Sequence, residues 1–272
     1  SAAIRLLQQL HSVPIDPELL ATAIAEVRGA GVTTAVRVSP QNAQLLTPHL
    51  ISAGIDLLVI HGTIVSAERV ARDGEPLNLK TFISELDIPV VAGGVIDHRT
   101  ALHLMRTGAA GVIVGYGQTA GATTSGEVLG ISVAMATAIA DAAAARREYL
   151  DETGGRYVHV LADGDIHTSG DLAKSIACGA DAVVLGTPLA AAQEAAGDGW
   201  FWPNAAAHPS LPRGALLQVA VGERPPLSEV LVGPSDDPFG TLNLVGGLRR
   251  SMAKSGYCDL KEFQKVGLTV NS

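Results

Sequence analysis

Residues 157–164 read Tyr157-Val158-His159-Val160-Leu161-Ala162-Asp163-Gly164, and residues 179–187 read Gly179-Ala180-Asp181-Ala182-Val183-Val184-Leu185-Gly186-Thr187. Each is a short apolar strand that ends in glycine and then feeds a helix. Two such strand ends side by side are how a parallel β/α barrel makes an anion cup, because helix N-termini present N–H groups and a positive dipole end. Upstream lie a further apolar strand at Gly111–Gly115, a glycine-rich loop at Gly117–Gly126 and a long alanine-rich segment. An aspartate, Asp165, follows Gly164 in the middle of this cup.

Working outward, one pattern recurs: a helix end, glycine, a small or acidic residue, then a strand. It begins at Gly31, Gly54, Gly108 and Gly179. The glycine reads as the left-handed residue that ends a helix. With two more strands between these, the pattern predicts six, near 33–39, 56–61, 89–93, 111–115, 157–162 and 182–186. Predicted helices include 17–28 after an Asp16 cap, 99–107, 129–152, one from Ser169, and 242–255, with a short strand near the end. Alternation of this kind implies parallel strands with right-handed crossovers. The fold class is α/β, a (β/α)8 barrel type. Closure of that barrel takes eight strands, so the chain is expected to lack the first two β/α units and to leave apolar edges open to association. A doubly wound open sheet is the structural alternative. The chain opens on Ser1 and is read as processed or truncated. Residues 1–272 read as one partial barrel domain with no CBS domain, residues 190–272 forming a C-terminal extension that packs on it. That extension holds the aromatic cluster Trp200-Phe201-Trp202-Pro203.

Composition narrows the function classes. Alanine, glycine and valine dominate, and aromatic residues make up only 4% of the 272, as suits strands covered on both faces. A net charge of −8 leaves no basic footprint, so neither nucleic acid nor an anionic membrane is an expected partner. Apolar runs are strand-length, and residues 1–15 do not make a signal peptide. Two cysteines, Cys178 and Cys258, form no disulfide framework, and a cytoplasmic location is expected.

The candidate ligand groups gather at strand ends. Asp163 can take two ribose hydroxyls or can cap the helix that follows. Gly164, Gly186 and Thr187 offer N–H groups and a hydroxyl to a phosphate, or form plain turns. The loop Gly117–Gly126 either wraps a ligand or merely connects. His61, at a strand end, and His167, after the cup, are candidate ligand contacts; His159, mid-strand, reads as core or barrel wall. No metal-site spacing is legible, and Cys178, at a helix-to-strand junction, is poorly placed for nucleophilic work.

These segments resemble the IMP dehydrogenase/GMP reductase family, in its bacterial IMP-dehydrogenase-related branch. The resemblance runs through Val90-Val91-Ala92-Gly93-Gly94, residues 104–112, 157–164 and 180–186, and residues 244–252. It implies hydride transfer at C2 of a purine nucleotide, IMP or GMP, with NAD or NADP as cofactor, and assembly as a homo-oligomer. It assigns ribose binding to Asp163 and phosphate binding to Gly164, Gly186 and Thr187. The site departs from the family at several points. Thr123 stands where the family's loop cysteine belongs and Gly126 where its arginine belongs; a threonine hydroxyl is a far weaker nucleophile than a partly ionised thiol. Asp165 replaces the second glycine of the cup, and at about 5 Å, with an effective dielectric near 20, each unit of like charge costs roughly 3 kcal/mol. Pro203-Asn204 replaces the pair that holds the base, and His61 the acid or amide near the nicotinamide. Three readings follow: a purine-nucleotide oxidoreductase with a degenerate site; an inactive paralogue, needing no cofactor, that acts as a regulatory or structural partner; and a barrel enzyme retuned for another substrate, with His61, His167 and Asp165 as acid–base groups.

Overall fold

The computed structural model describes residues 2–62, 68–69, 77–116, 130, 133–164, 166–201 and 216–269. Its centre is a sheet of six parallel strands: β1 (Ala35–Val38), β2 (Leu57–His61), β3 (Val90–Val95), β4 (Gly111–Val114), β5 (His159–Ala162) and β6 (Ala182–Val183). They lie side by side in the order in which they occur in the chain. A doubly wound sheet reverses direction at a switch point, and this one does not, so the barrel reading is the correct one. Among the described residues the sheet is open, with β1 and β6 at its edges.

After an exposed helix α1 (Ala2–His11), helices cover the outer face: α2 (Pro17–Gly29), α3 (Ala43–Ser52), α4 (Leu79–Ser84), α5 (His98–Met105), α6 (Met135–Thr153), α7 (Ser169–Ala177) and α8 (Thr187–Ala190), followed by α9 (Leu227–Val232), α10 (Leu244–Lys254) and α11 (Leu260–Phe263). Strand residues alternate between two apolar layers. Leu58, Ile60, Val90, Ala92, Val112, Val114, Val160 and Ala162 join Leu104, Met105 and Ile139 of the helices in the main core. Val91 and Ile113, also buried, lie on the other face of the sheet, inside the curl. Near the open edge the apolar surface stays in water, as at Leu6, Leu10 and Leu19, each more than half exposed.

The recurring glycines do what the pattern requires: Gly31, Gly54, Gly108 and Gly179 all have φ between 71° and 114°. The acidic residue that follows two of them has a structural task. Asp56 accepts the N–H of Thr34 at 2.7 Å, and Asp181 accepts that of Val160 at 2.9 Å. Each aspartate thus ties the start of its own strand to the start of the preceding one, at the N-terminal face of the sheet.

Asp181 is the hub of that face. Arg146 reaches its Oδ2 at 2.7 Å, Tyr157 donates to Oδ1 at 2.7 Å, and Lys261 and Gln264 of the C-terminal segment join them. Burial pushes the Asp181 carboxyl up, but Lys261, the Val160 N–H, Tyr157 and Arg146 together hold it down at about 2. Earlier in the C-terminal segment, α10 lies close on α7; a Cβ on Gly247 would sit 2.3 Å from the Ser169 Cβ.

Four expectations need correction. β6 is two residues long, because the chain turns at Leu185-Gly186 into α8; only the Val184 N–H still bonds across, to Ala162 O at 2.8 Å. The alanine-rich helix begins at Met135, whose side chain packs on Gly115 and Gly164, and not at 129. His159 is not a core residue: it opens β5, at the N-terminal face of the sheet, and its side chain is 62% exposed. Near the end, the described residues form no strand but α11, capped by Asp259, which accepts from the N–H groups of Lys261 and Glu262.

Candidate active site

β2 and β5 are three strand positions apart, which on a flat sheet would separate them by about 14 Å. In the structure their C-terminal ends touch: His61 Nε2 lies 3.2 Å from Asp163 Oδ2, though not aligned for a hydrogen bond. The curl of the sheet brings them together, and glycine lets it. The intervening strand ends are Gly93, Gly94 and Gly115. A Cβ on Gly93 would lie 2.4 Å from Ile113 O, one on Gly94 2.0 Å from Gly115 O, and one on Gly115 2.2 Å from Asp163 O. Gly115 also has φ +98°, which excludes ordinary side chains. Backbone bonds continue the ladder past the strands, from Gly62 N to Gly93 O at 2.9 Å and from Asp163 N to Val114 O at 2.7 Å.

His61 and Asp163 are both about 95% buried. Burial, then the charge of Arg37 on β1, lowers the His61 imidazolium to about 4, so the ring is neutral at physiological pH. The sequence reading did not single out Arg37. Its signal was present: Ala35 and Arg37 are the exposed, alternate residues of β1, and a charge in that register of a barrel strand points to the mouth. Tyr116, directly after Gly115, was also passed over. Its hydroxyl is buried with no hydrogen-bond partner among the described residues, and burial, then Asp97, raises its pKa.

The two arms of the expected cup are not equivalent. The cap of α7 is Thr168, not Asp163: Thr168 Oγ1 accepts the Asp171 N–H, and Asp171 Oδ2 accepts the N–H groups of Thr168 and His167 at 3.0 and 3.3 Å. The start of α7 is therefore filled by the protein's own carboxylate, and Ser169 N bonds to Gly240 O. What remains of this arm is the backbone at Gly164, where Met135 packs so closely that a Cβ would meet its Sδ at 2.9 Å. At the other arm a Cβ on Gly186 would have nothing within 4 Å among the described residues, and Thr187 begins α8. His167 stands before α7, with its N–H turned to Asp171 rather than to Asp163.

A cavity of about 260 Å³ adjoins Gly164, lined by Met135, Ile139, Ile166, Lys174 and Cys178 among others. Burial pushes the Cys178 thiol up, which suits a packing residue and not a nucleophile. Thr123, Gly126 and the rest of the loop Gly117–Gly126, together with Asp165, Pro203 and Asn204, lie outside the described residues. Among the described residues no group of three or more His, Cys, Asp and Glu side chains can hold a metal ion. Among them, too, no helix is long and apolar enough to cross a membrane.

Residues 21–208 match the model of the IMP dehydrogenase / GMP reductase domain. The chain belongs to the IMP dehydrogenase/GMP reductase family. It is 85% identical to an "uncharacterized oxidoreductase" of Mycolicibacterium smegmatis over 272 residues, all of this chain and 72% of that protein. It is 32% identical to the inosine-5'-monophosphate dehydrogenase of Aquifex aeolicus over 241 residues, 79% of this chain and 44% of that one. Among solved structures, an IMP dehydrogenase/GMP reductase-like protein from Corynebacterium glutamicum matches with a TM-score of 0.88 at 59% identity, over 98% of this chain and 69% of that chain. Family and relatives agree on an oxidoreductase of IMP dehydrogenase type. The family membership also accounts for the sequential strand order and for the strand ends that converge on Asp163.

Proposed function

We propose that the chain carries a purine-nucleotide oxidoreductase site at the glycine-lined mouth of the sheet, interconverting IMP and XMP or GMP and IMP without a thiol adduct. The observation that carries this reading is the convergence of His61 and Asp163 across Gly93, Gly94 and Gly115. Asp163 takes the ribose hydroxyls, displacing the imidazole that covers it. The backbone at Gly164 and Gly186 and the hydroxyl of Thr187 take the phosphate. A nicotinamide cofactor, NAD or NADP, supplies the hydride chemistry when bound; a neutral imidazole beside three side-chain-free strand ends leaves room for a planar ring and brings no charge that would repel its oxidised, cationic form.

With Thr123 in place of a thiol, oxidation at C2 proceeds by addition of water, and His61 Nε2 receives the proton that the water gives up. A base whose conjugate acid has a pKa of about 4 accepts protons poorly at pH 7. Turnover is therefore slow compared with a thiol-dependent relative. A second reading draws on two other observations: His61 covers Asp163, and Asp171 fills the start of α7. Both favour a closed site in a paralogue that serves as a regulatory or structural partner.

Calorimetric titration of the chain with IMP and with GMP, followed by turnover assays with IMP plus NAD and GMP plus NADPH, separates the two. Binding in the micromolar range that Asp163→Ala abolishes, with slow turnover of one pair, supports the oxidoreductase. Absence of binding by both the wild type and His61→Ala sinks it and leaves the non-catalytic paralogue.

A further inference from the structure

A second pocket lies at the opposite end of the sheet, under the N-terminal ends of β3, β4 and β5. Its volume is about 540 Å³, within the range of small-molecule sites. The floor is apolar, formed by Ile83, Leu86, Ile88 and Pro89. Its charged lining is Lys80, Asp87, Arg106 and Arg156, three cations against one carboxylate in a chain whose net charge is −8.

The two arginines are held in place. Arg156 Nη2 donates to Gly108 O at 2.7 Å. Arg106 Nε donates to Glu152 at 3.0 Å, and its Nη2 also lies 3.7 Å from Glu148, which His98 approaches from the other side at 3.2 Å. A guanidinium has five N–H donors, so each arginine keeps donors beyond those used. Fixed guanidinium groups over an apolar floor suit a phosphate ester with a flat apolar body, the phosphate taken by the forked donors.

Glu148 and Glu152 sit near the C-terminal end of α6. The first residue of the same helix, Met135, packs on Gly115 and Gly164 at the mouth. Nineteen residues of helix span about 28 Å, so one rigid element joins the two ends of the sheet. We infer that the basic pocket is an effector site for an organic phosphate. Its occupation competes with Glu148 and Glu152 for Arg106 and shifts α6 against the mouth.

The test is calorimetry on the whole chain, with ATP and tripolyphosphate as probes, for the wild type, Lys80→Glu, Arg156→Ala and His61→Ala, each checked for an unchanged melting profile. ATP is expected to bind the wild type more tightly than tripolyphosphate does. Lys80→Glu and Arg156→Ala each weaken ATP at least tenfold, and His61→Ala leaves it within twofold. Hydrogen exchange should change at both ends of α6 when ATP is added. Lys80→Glu keeps the inference testable should Arg156→Ala disturb the loop at Gly108. No binding by the wild type at millimolar ATP overturns the site. Loss in His61→Ala with none in Lys80→Glu assigns the anion to the mouth instead and also overturns it. Equal affinity for the two probes refutes the organic body, and unchanged exchange in α6 refutes the coupling.

Discussion

Acidification should destabilise this fold through His61, in a pH window that the structure defines. The imidazole is buried beside Asp163 and titrates near 4, against 6.5 in the unfolded chain. Between those values the unfolded state binds the proton and the folded state does not, so stability is fully present above pH 6.5 and falls as pH drops towards 4. The lowering to about 4 corresponds to roughly 3 kcal/mol once the window has been crossed, of which about 2 kcal/mol is lost by pH 5. Asp181 also titrates low in the folded state, but its contribution fades only below about pH 4, so it is silent in this comparison. The assay is urea unfolding of the wild type and His61→Gln at pH 7.5 and pH 5.0. The wild type should lose about 2 kcal/mol more than the variant between the two. A wild type that gains stability on acidification, relative to His61→Gln, would refute the reasoning. It would mean that the Asp163 carboxylate 3.2 Å away outweighs burial and Arg37 and holds the ring as imidazolium.

Other consequences can be checked in parallel. Asp181→Ala strands the buried Arg146 guanidinium and frees Lys261, and should cost about 3–5 kcal/mol, or a fall in Tm of about 10 °C by calorimetry. A loss under 1 kcal/mol would show that the hub is not structural. Gly115→Ala combines a φ of +98° with a Cβ 2.2 Å from Asp163 O. It should destabilise by more than 2 kcal/mol and weaken nucleotide binding at the mouth; a variant with wild-type urea midpoint and IMP affinity would contradict the close-approach argument. Thr168→Ala removes the cap of α7 and should cost about 1 kcal/mol by urea unfolding.

Much of this architecture was legible in the chain itself. The glycine-then-strand pattern marks helix ends through backbone freedom alone, a local property, and it located four of the six strands to within a few residues; the other two were read as apolar runs between them. The sequential strand order came with the barrel reading rather than with periodicity, which gives element type and not neighbours, and the strand order of the structure decided it against the doubly wound alternative. The brevity of β6, set by a turn into α8, was not legible, and neither was the exposure of His159, set by its place at the first residue of β5 on the N-terminal face. At the site, Asp163, Gly164, Gly186 and His61 could be named as strand-end residues. Their pairing could not, since it depends on how tightly three glycines let four strand ends approach. The capture of the α7 N-terminus by Thr168 and Asp171 was present as a local motif and was overlooked in favour of Asp163. Arg37, Tyr116 and Met135 acquire meaning only by proximity. Local chemistry along the chain determined the elements and the end of the sheet where ligands gather. Tertiary curl decided which side chains meet there, because contact across the mouth is a property of the curved sheet as a whole and of no single strand.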